Sequence, residues 1–502
     1  MKLLQPLLAV SALATGVRAS QKVVPVPFSR QAERRTGLRR RAGTFSQELN
    51  NNLTGGGYYA QVTVGTPPQP VNLILDTGSS DVWVLDSRAN LCNSEALQLY
   101  YGDCLATYDP SQSSTYSLVS DDSFSIQYVD GSGAEGNYIK DNLSIGGANI
   151  TALQMGLAEN STINSGLLGV GFSANVAATK QYPNIIDMFM QQDLIASEAY
   201  SLYLDDLHAE TGTILFGGLD TAKFIGELKA VPIQPDAETG TYSSFTVALS
   251  SFTTTADNGT VANYTRAAAI PVILDSGTTL TYLPSSIADR VFDAFGAYDD
   301  TSSGGTGLVY VDCGYLSDSK NLTFDFQFGG TDGPLIRVPI DEMILDNVDS
   351  YTGLGLQVPD DLPFDNACSF GLQANQGYYL LGDTFLRSAY VVYDLSNKTI
   401  AMAPANLNST DTHVVEITKE SGIPLLSGVA SQVTAEQTAT GLPGISGNSA
   451  LPTVTVTSTG SPSASSTGNA AARAVPAPNW EAAAVATIAA GFGLVGAGLI
   501  LL

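Results

Sequence analysis

Two stretches constrain this chain more than anything else in it: Val71 to Leu85, VNLILDTGSSDVWVL, and, about two hundred residues later, Ile270 to Leu283, IPVILDSGTTLTYL. In each, β-branched and leucine residues lead into Asp-Thr/Ser-Gly. That pattern is a buried strand stopped by a tight turn, where glycine permits close backbone approach. A chain that repeats such a unit folds as two similar halves, and the repeat brings Asp76 and Asp275 to equivalent positions.

A carboxylate placed after four apolar residues is costly to bury alone. Two that face each other can share one proton, because like charges a few ångströms apart cannot both ionise. The ionised member can then take a proton from a water held between them while the protonated member hydrogen-bonds a carbonyl under attack. That is general acid-base hydrolysis without a covalent intermediate. A single Asp-Thr-Gly is explained by turn-making; turn-making gives no reason for a second buried Asp in the same setting. Three residues after each Asp, Ser79 and Thr278 place a hydroxyl where it can bond the outer carboxylate oxygen.

Composition sets the frame for these motifs. The 502 residues include 49 Gly and 22 Tyr with only 14% charged side chains, which favours a β-rich globular protein. Net charge is -26; residues 1–41 carry nine Lys/Arg and one Glu, so the remainder stands at -34, which argues against nucleic acid as a partner. With only His208 and His413 there is no HExxH, no Cys/His cluster at zinc spacing and little material for a Ser-His-Asp triad, so no metal or other cofactor is expected. The even cysteine count (Cys92, Cys104, Cys313, Cys368) fits an oxidising compartment, with three pairings open.

Along the chain, residues 1–19 read as a secretory signal peptide, with Lys2, an apolar run and Val17-Arg18-Ala19 before Ser20. Residues 20–41 form a short basic segment that reads as a removable propeptide. Its Lys/Arg side chains would lie across the cleft and pair with the two aspartates until acid, or cleavage at Arg39-Arg40-Arg41, releases it near Ala42. Residues 42–233 and 234–405 read as two β lobes around a cleft. In each, a hydrophobic-glycine stretch, GLLGVGF from Gly166 and YLLGDTF from Tyr379, follows the Asp motif in the same order and passes beneath its loop. Such a cleft suits an extended peptide. Tyr58–Val64 and Val71–Leu75 form a hairpin around Gly65-Thr66-Pro67-Pro68; helices are expected to be few and short, with helical spacing over 185–192 and 285–295. N-x-S/T acceptor sites begin at Asn52, Asn142, Asn149, Asn160, Asn258, Asn263, Asn321, Asn397 and Asn408. Residues 406–469 are expected to form an extended Ser/Thr-rich stalk, since Ser431–Gly468 holds 16 Ser/Thr in 38 residues. Residues 470–502 end in an uncharged run of 21 residues, Ala482 to Leu502, with no basic residue after it. This favours a removed GPI signal over a spanning helix, with attachment at Asn469.

The paired DTG and DSG triplets, with GTPPQ from Gly65, resemble the pepsin family of aspartic proteases, and the stalk and anchor signal resemble its GPI-anchored, yapsin-like fungal members. The resemblance implies a mainly β, bilobal fold and an aspartic endopeptidase with Asp76 and Asp275 as catalytic pair. Thr77, Gly78, Ser79, Ser276, Gly277 and Thr278 would support the pair. It makes the hairpin from Phe124 to Gly136 a flap, with Tyr128 closing over substrate, Trp83 as its hydrogen-bonding partner, and Asp130, Gly131 and Thr279 meeting the peptide. It also selects Cys92–Cys104 and Cys313–Cys368 as disulfides. The short Cys92–Cys104 loop lacks the insertion that some yapsins process, so a single-chain enzyme is expected, monomeric, on the outer face of the plasma membrane or in the wall. Cleavage beside Lys or Arg in surface or secreted proteins is what the yapsin likeness implies. The alternatives are a broad-specificity degradative acid protease and a non-catalytic wall glycoprotein.

Overall fold

The computed structural model describes residues 23–30, 57–209, 211–302, 305–349, 357–430 and 433–435. The signal peptide, the basic run from Arg34 to Arg41, Asn52, Asn469 and the anchor signal lie outside the described residues.

The first half is built on antiparallel hairpins. Strand Tyr58–Val64 pairs with Gln69–Asp76, Val64 opposite Gln69, so the Gly/Pro segment makes the expected turn. Long strands Ser117–Gln127, Gly133–Ile145 and Ala148–Ser161 follow, and Gly133–Ile145 turns back to pair with Tyr58–Val64. The aspartate strand is placed by the hydrophobic-glycine stretch: Gly166–Gly169 runs parallel to Gln69–Asp76, with Gly169 opposite Asp76, and antiparallel to Val82–Leu85. Side-chain-free Gly166 and Gly169 make this crossing possible. A Cβ on Gly169 would stand 2.6 Å from the Asp81 carbonyl oxygen.

The second half repeats the device. Leu380–Leu381 runs parallel to Ile270–Leu274 and meets Thr281–Pro284 antiparallel. Its continuation departs from the first copy in that the helical turn Asp383–Leu386 follows directly on Gly382, whereas after Gly169 the helical turn Ser173–Asn175 begins only four residues on. These strands belong to an eight-stranded sheet that also holds Thr246–Thr255 and Thr323–Phe328. The two halves meet where Ala199–Tyr203 pairs with Ala389–Asp394, within one fourteen-stranded sheet. The longer helices fall where apolar spacing put them. Ile185–Gln191 is capped by Asn184 and Asp187, and Ser285–Phe295 buries Ile287, Val291 and Phe295 and ends at left-handed Gly296. Helix Glu95–Tyr101, inside the first disulfide loop, was not expected from the sequence. Both disulfides form as the resemblance implied, Cys92–Cys104 and Cys313–Cys368.

Two expected boundaries need correction. Val24–Arg30, inside the expected propeptide, is a strand of the large sheet. It pairs with Thr211–Phe216 from Val24 to Ser29 and with Tyr58–Val64 from Phe28 to Arg30, so this part is woven into the sheet rather than laid across the cleft. At the other end, packing does not stop at Ala405. Val414–Glu416 pairs with Gly218–Asp220, Leu426–Val429 adds a parallel edge strand beside Leu228–Pro232, and Ile417, Ile423 and Ala430 are buried. A few isolated apolar side chains, each aimed at the body, suffice to dock a segment whose average composition is polar. The Ser/Thr-dense stretch begins only at Ser431.

A chain ending at Ala405 should therefore melt lower than one ending at Ala435. Ile417 and Ile423 alone account for roughly 3–5 kcal/mol at the upper bound of area bookkeeping. Equal melting temperatures by calorimetry would show that the docked segment adds nothing.

Candidate active site

Asp76 ends its strand and Asp275 follows its own by one residue, and both turn into glycine-containing loops that face each other. Two short side chains join these loops reciprocally. Thr77 Oγ1 donates to the Leu274 carbonyl at 2.9 Å and accepts from the Ser276 amide at 2.9 Å. Ser276 Oγ donates to the Leu75 carbonyl at 2.9 Å and accepts from the Thr77 amide at 3.2 Å. Each hydroxyl thus bonds the backbone just ahead of the other lobe's aspartate.

The glycines explain how near the loops come. A Cβ on Gly78 would lie 2.6 Å from Asp275 Oδ1, and one on Gly277 would lie 2.5 Å from Asp76 Oδ1. Within each loop the carboxylate is pinned the same way. The Gly78 amide donates to Asp76 Oδ1 at 2.7 Å and Ser79 Oγ to Asp76 Oδ2; the Gly277 amide donates to Asp275 Oδ1 at 2.9 Å and Thr278 Oγ1 to Asp275 Oδ2 at 2.6 Å. The inner oxygens are fixed by amides and the outer ones by hydroxyls, leaving little freedom to rotate. Burial, and then the charge of Asp275, push the Asp76 carboxyl well above the usual carboxylate range. The pair accordingly keeps a proton where an isolated aspartate would have lost it.

The hairpin supplies the third part of the site. Gln127 pairs with Gly133, and its tip is closed by Tyr128 N–H to the Ser132 carbonyl at 2.8 Å and by Gly131, whose φ of +84° suits glycine. Trp83 Nε1 donates to Tyr128 Oη at 2.9 Å, the partnership that the resemblance implied. Burial, then the charge of Asp76, raise the Tyr128 phenol far above its ordinary value, so its hydroxyl stays protonated beside the pair. At the tip, Asp130 Oδ1 accepts from the Ser132 amide at 2.8 Å and from Ser132 Oγ at 2.7 Å. Its other oxygen is buried without a hydrogen-bond partner among the described residues. Thr279 is buried, with its carbonyl accepting from the Thr384 amide at 3.0 Å.

Asp81 has a role that the sequence reading missed. It is fully buried and accepts from Tyr138 Oη at 2.9 Å, Tyr182 Oη at 2.6 Å and the Ala177 amide at 2.7 Å, and burial raises its carboxyl. It thereby ties the first aspartate loop to the return strand of the hairpin and to the segment before helix Ile185–Gln191. Its signal was visible: an acidic residue immediately before the apolar VWVL.

A family model for the eukaryotic aspartyl proteases matches residues 57–405. The chain belongs to this family. It is a hydrolase of the aspartic-protease class, with the two-lobed, mainly β fold expected. Among similar proteins, "Probable aspartic-type endopeptidase opsB" of Aspergillus oryzae is 40% identical over 409 residues, covering 79% of this chain and 78% of that protein. Candidapepsin-3 of Candida albicans is 34% identical over 373 residues, covering 74% and 85%. The crystal structure of an aspartic proteinase from Irpex lacteus shares the fold with a TM-score of 0.55 at 20% identity, over 78% of this chain and 99% of that one. In this aspartyl protease, no helix among the described residues is long and apolar enough to cross a membrane.

Gly277→Ala should lower kcat by about 100-fold or more while leaving the circular dichroism spectrum intact, because a methyl group there displaces the Asp76 carboxylate; near-normal turnover would refute the close-approach argument. The raised Asp76 carboxyl also predicts a pH-dependent stability. Its contribution is intact below the ordinary carboxylate pKa and is lost as pH rises towards the folded value, since the unfolded chain ionises first. Asp76→Asn removes this loss, so its melting temperature should exceed that of wild type more at neutral pH than in strong acid. A pH-independent difference would contradict the shift.

Proposed function

We propose that this enzyme cleaves peptide bonds with a water activated between Asp76 and Asp275. The observation that carries the proposal is the reciprocal Thr77–Ser276 cross-link, which sets each glycine of one loop against the other loop's carboxylate. With one proton on the pair, the ionised carboxylate takes a proton from the water as its oxygen bonds the scissile carbonyl carbon, and the protonated carboxyl gives its proton to the carbonyl oxygen. In the tetrahedral diol that results, one hydroxyl returns its proton to a carboxylate and the leaving nitrogen gains the other proton as the C–N bond breaks, which restores the pair. The apparent pKa values belong to the pair, not to either residue. Tyr128 closes from above, and the Asp130–Gly131 tip offers backbone to an extended peptide.

The substrate is a secreted or surface protein cut beside Lys or Arg. Support comes from Asp130, whose buried, unpartnered Oδ2 suits a cationic side chain, as charge-assisted hydrogen bonds are strong. Burial raises the Asp130 carboxyl, so this preference strengthens as pH rises and the group ionises. The enzyme passes through the secretory pathway, loses residues 1–19, and is cut near Ala42 at the Arg39-Arg40-Arg41 run. It is held at the plasma membrane or wall by a GPI anchor at Asn469, as a monomer. Asn149, Asn258, Asn263, Asn321, Asn397 and Asn408 are exposed and Asn142 and Asn160 half-buried, which supports N-glycosylation of this surface.

The test is cleavage of a diverse peptide library by wild type, Asp76→Asn, Asp275→Asn and Asp130→Asn. The first two variants should lose all cuts, and Asp130→Asn should lower kcat/KM for Lys/Arg peptides roughly tenfold while sparing apolar sites. Wild-type cuts only between large apolar residues would favour a degradative protease; unchanged cutting by either dyad variant would remove the catalytic assignment.

A further inference from the structure

Each lobe also contributes a Tyr-x-x-Tyr strand: Tyr200 to Tyr203 lies in Ala199–Tyr203, and Tyr390 to Tyr393 in Ala389–Asp394. The strands run antiparallel with Tyr200 opposite Tyr393, and because side chains alternate, the four rings divide between two faces. Tyr203 and Tyr390 fall on the face where both hydroxyls are bonded. Tyr203 donates to the Asn406 carbonyl at 2.8 Å; Tyr390 donates to Ser201 Oγ at 2.8 Å and accepts from the Asp220 amide at 2.6 Å. Tyr200 and Tyr393 fall on the other face. Their rings stack at 4.9 Å and 23°, both are fully buried, and neither hydroxyl has a hydrogen-bond partner among the described residues. Two adjacent buried donors without partners are rare in a folded protein and call for an explanation.

What those hydroxyls face supplies one. The Tyr393 hydroxyl lies at the edge of hydrogen-bonding reach of the Thr77 side chain, too loosely placed to form a well-made bond, and near the Asp275 charge; the Asp76 charge bears on Tyr200. Burial holds both phenols far above their ordinary value, so they stay protonated, and remain donors, wherever the aspartates titrate. The cross-link above has room for such donors. Thr77 Oγ1 accepts only the Ser276 amide and Ser276 Oγ only the Thr77 amide, so each keeps one free lone pair.

We propose that Tyr200 and Tyr393 are a pair of positioning residues for the reaction, whose hydroxyls back the Thr77–Ser276 cross-link from inside the protein and lock the two aspartate loops in register when substrate is bound. Catalytic hydrogen bonds are often long in the free enzyme and tighten in the loaded one. This inference rests on Asp76 and Asp275 being the catalytic pair. A space-filling role makes the opposite prediction, since phenylalanine stacks equally well and removes an unmet buried donor.

The experiment uses the full chain with Tyr200→Phe, Tyr393→Phe and the double variant, alongside Tyr390→Phe and Asp76→Asn. It measures kcat, KM and the pH dependence of kcat/KM on one peptide, and the melting temperature. The inference expects kcat to fall about tenfold in the double variant with KM unchanged, and the pH profile to move up by about half a unit as the ionised pair loses two nearby donors. Tyr390→Phe should lower the melting temperature and leave the profile in place. Wild-type kcat and profile in all the Tyr200 and Tyr393 variants, with equal or higher melting temperatures, would overturn it. Activity surviving in Asp76→Asn would instead overturn the catalytic assignment itself.

Discussion

The whole arrangement depends on one contact, the exchange of hydrogen bonds between Thr77 and Ser276. Two carboxylates that share a proton must be held together against their own repulsion and against the cost of burial, and neither lobe can do this alone. The exchange fixes each loop to the backbone that leads into the other aspartate. The remaining features follow from it. Glycine is required at 78 and 277 because the loops come so close, and the parallel crossings at Gly166–Gly169 and Leu380–Leu381 are required because each aspartate strand must be held from behind.

Polar groups are buried throughout this region, and nearly all are bonded. Asp81 is satisfied by two phenols and an amide, and Arg387, fully buried, is paired with Glu342. Buried ionic and polar groups rarely add stability over apolar packing of the same volume. Here their bonds join segments distant in sequence, as when Glu342 also accepts from the Leu207 amide of the first lobe at 2.9 Å. The two lobes are thereby held in one relation across the cleft. The unpartnered hydroxyls of Tyr200 and Tyr393 share this interior with a few other unpartnered atoms, among them Ser80 Oγ and Arg387 Nη1, and differ from them in lying stacked together near both aspartates.

Much of this was legible in the sequence, for a physical reason. Duplication put the same motif in the chain twice, and a duplicated Asp-x-Gly with an apolar approach has few explanations. The aspartates, the hydroxyls at Ser79 and Thr278, the glycine crossings and the hairpin all read from local pattern. What escaped lay in contacts between distant segments. Val24–Arg30 lies within residues 20–41, which read as a basic segment by composition, yet its backbone completes a sheet between Thr211–Phe216 and Tyr58–Val64. Ile417 and Ile423 are too sparse to signal a strand, yet each meets an apolar surface built hundreds of residues earlier. Asp81 and the facing tyrosines were visible as residues, but their pairing depends on register, which local pattern does not specify.

The central claim is that one proton, shared by two carboxylates, activates water directly. The most direct measurement is kcat/KM of the mature enzyme on one soluble peptide from strongly acid to neutral pH. The account predicts a bell: activity rises as the pair loses its first proton and falls as it loses its second. A profile that rises along a single limb and stays flat to neutral pH would contradict it.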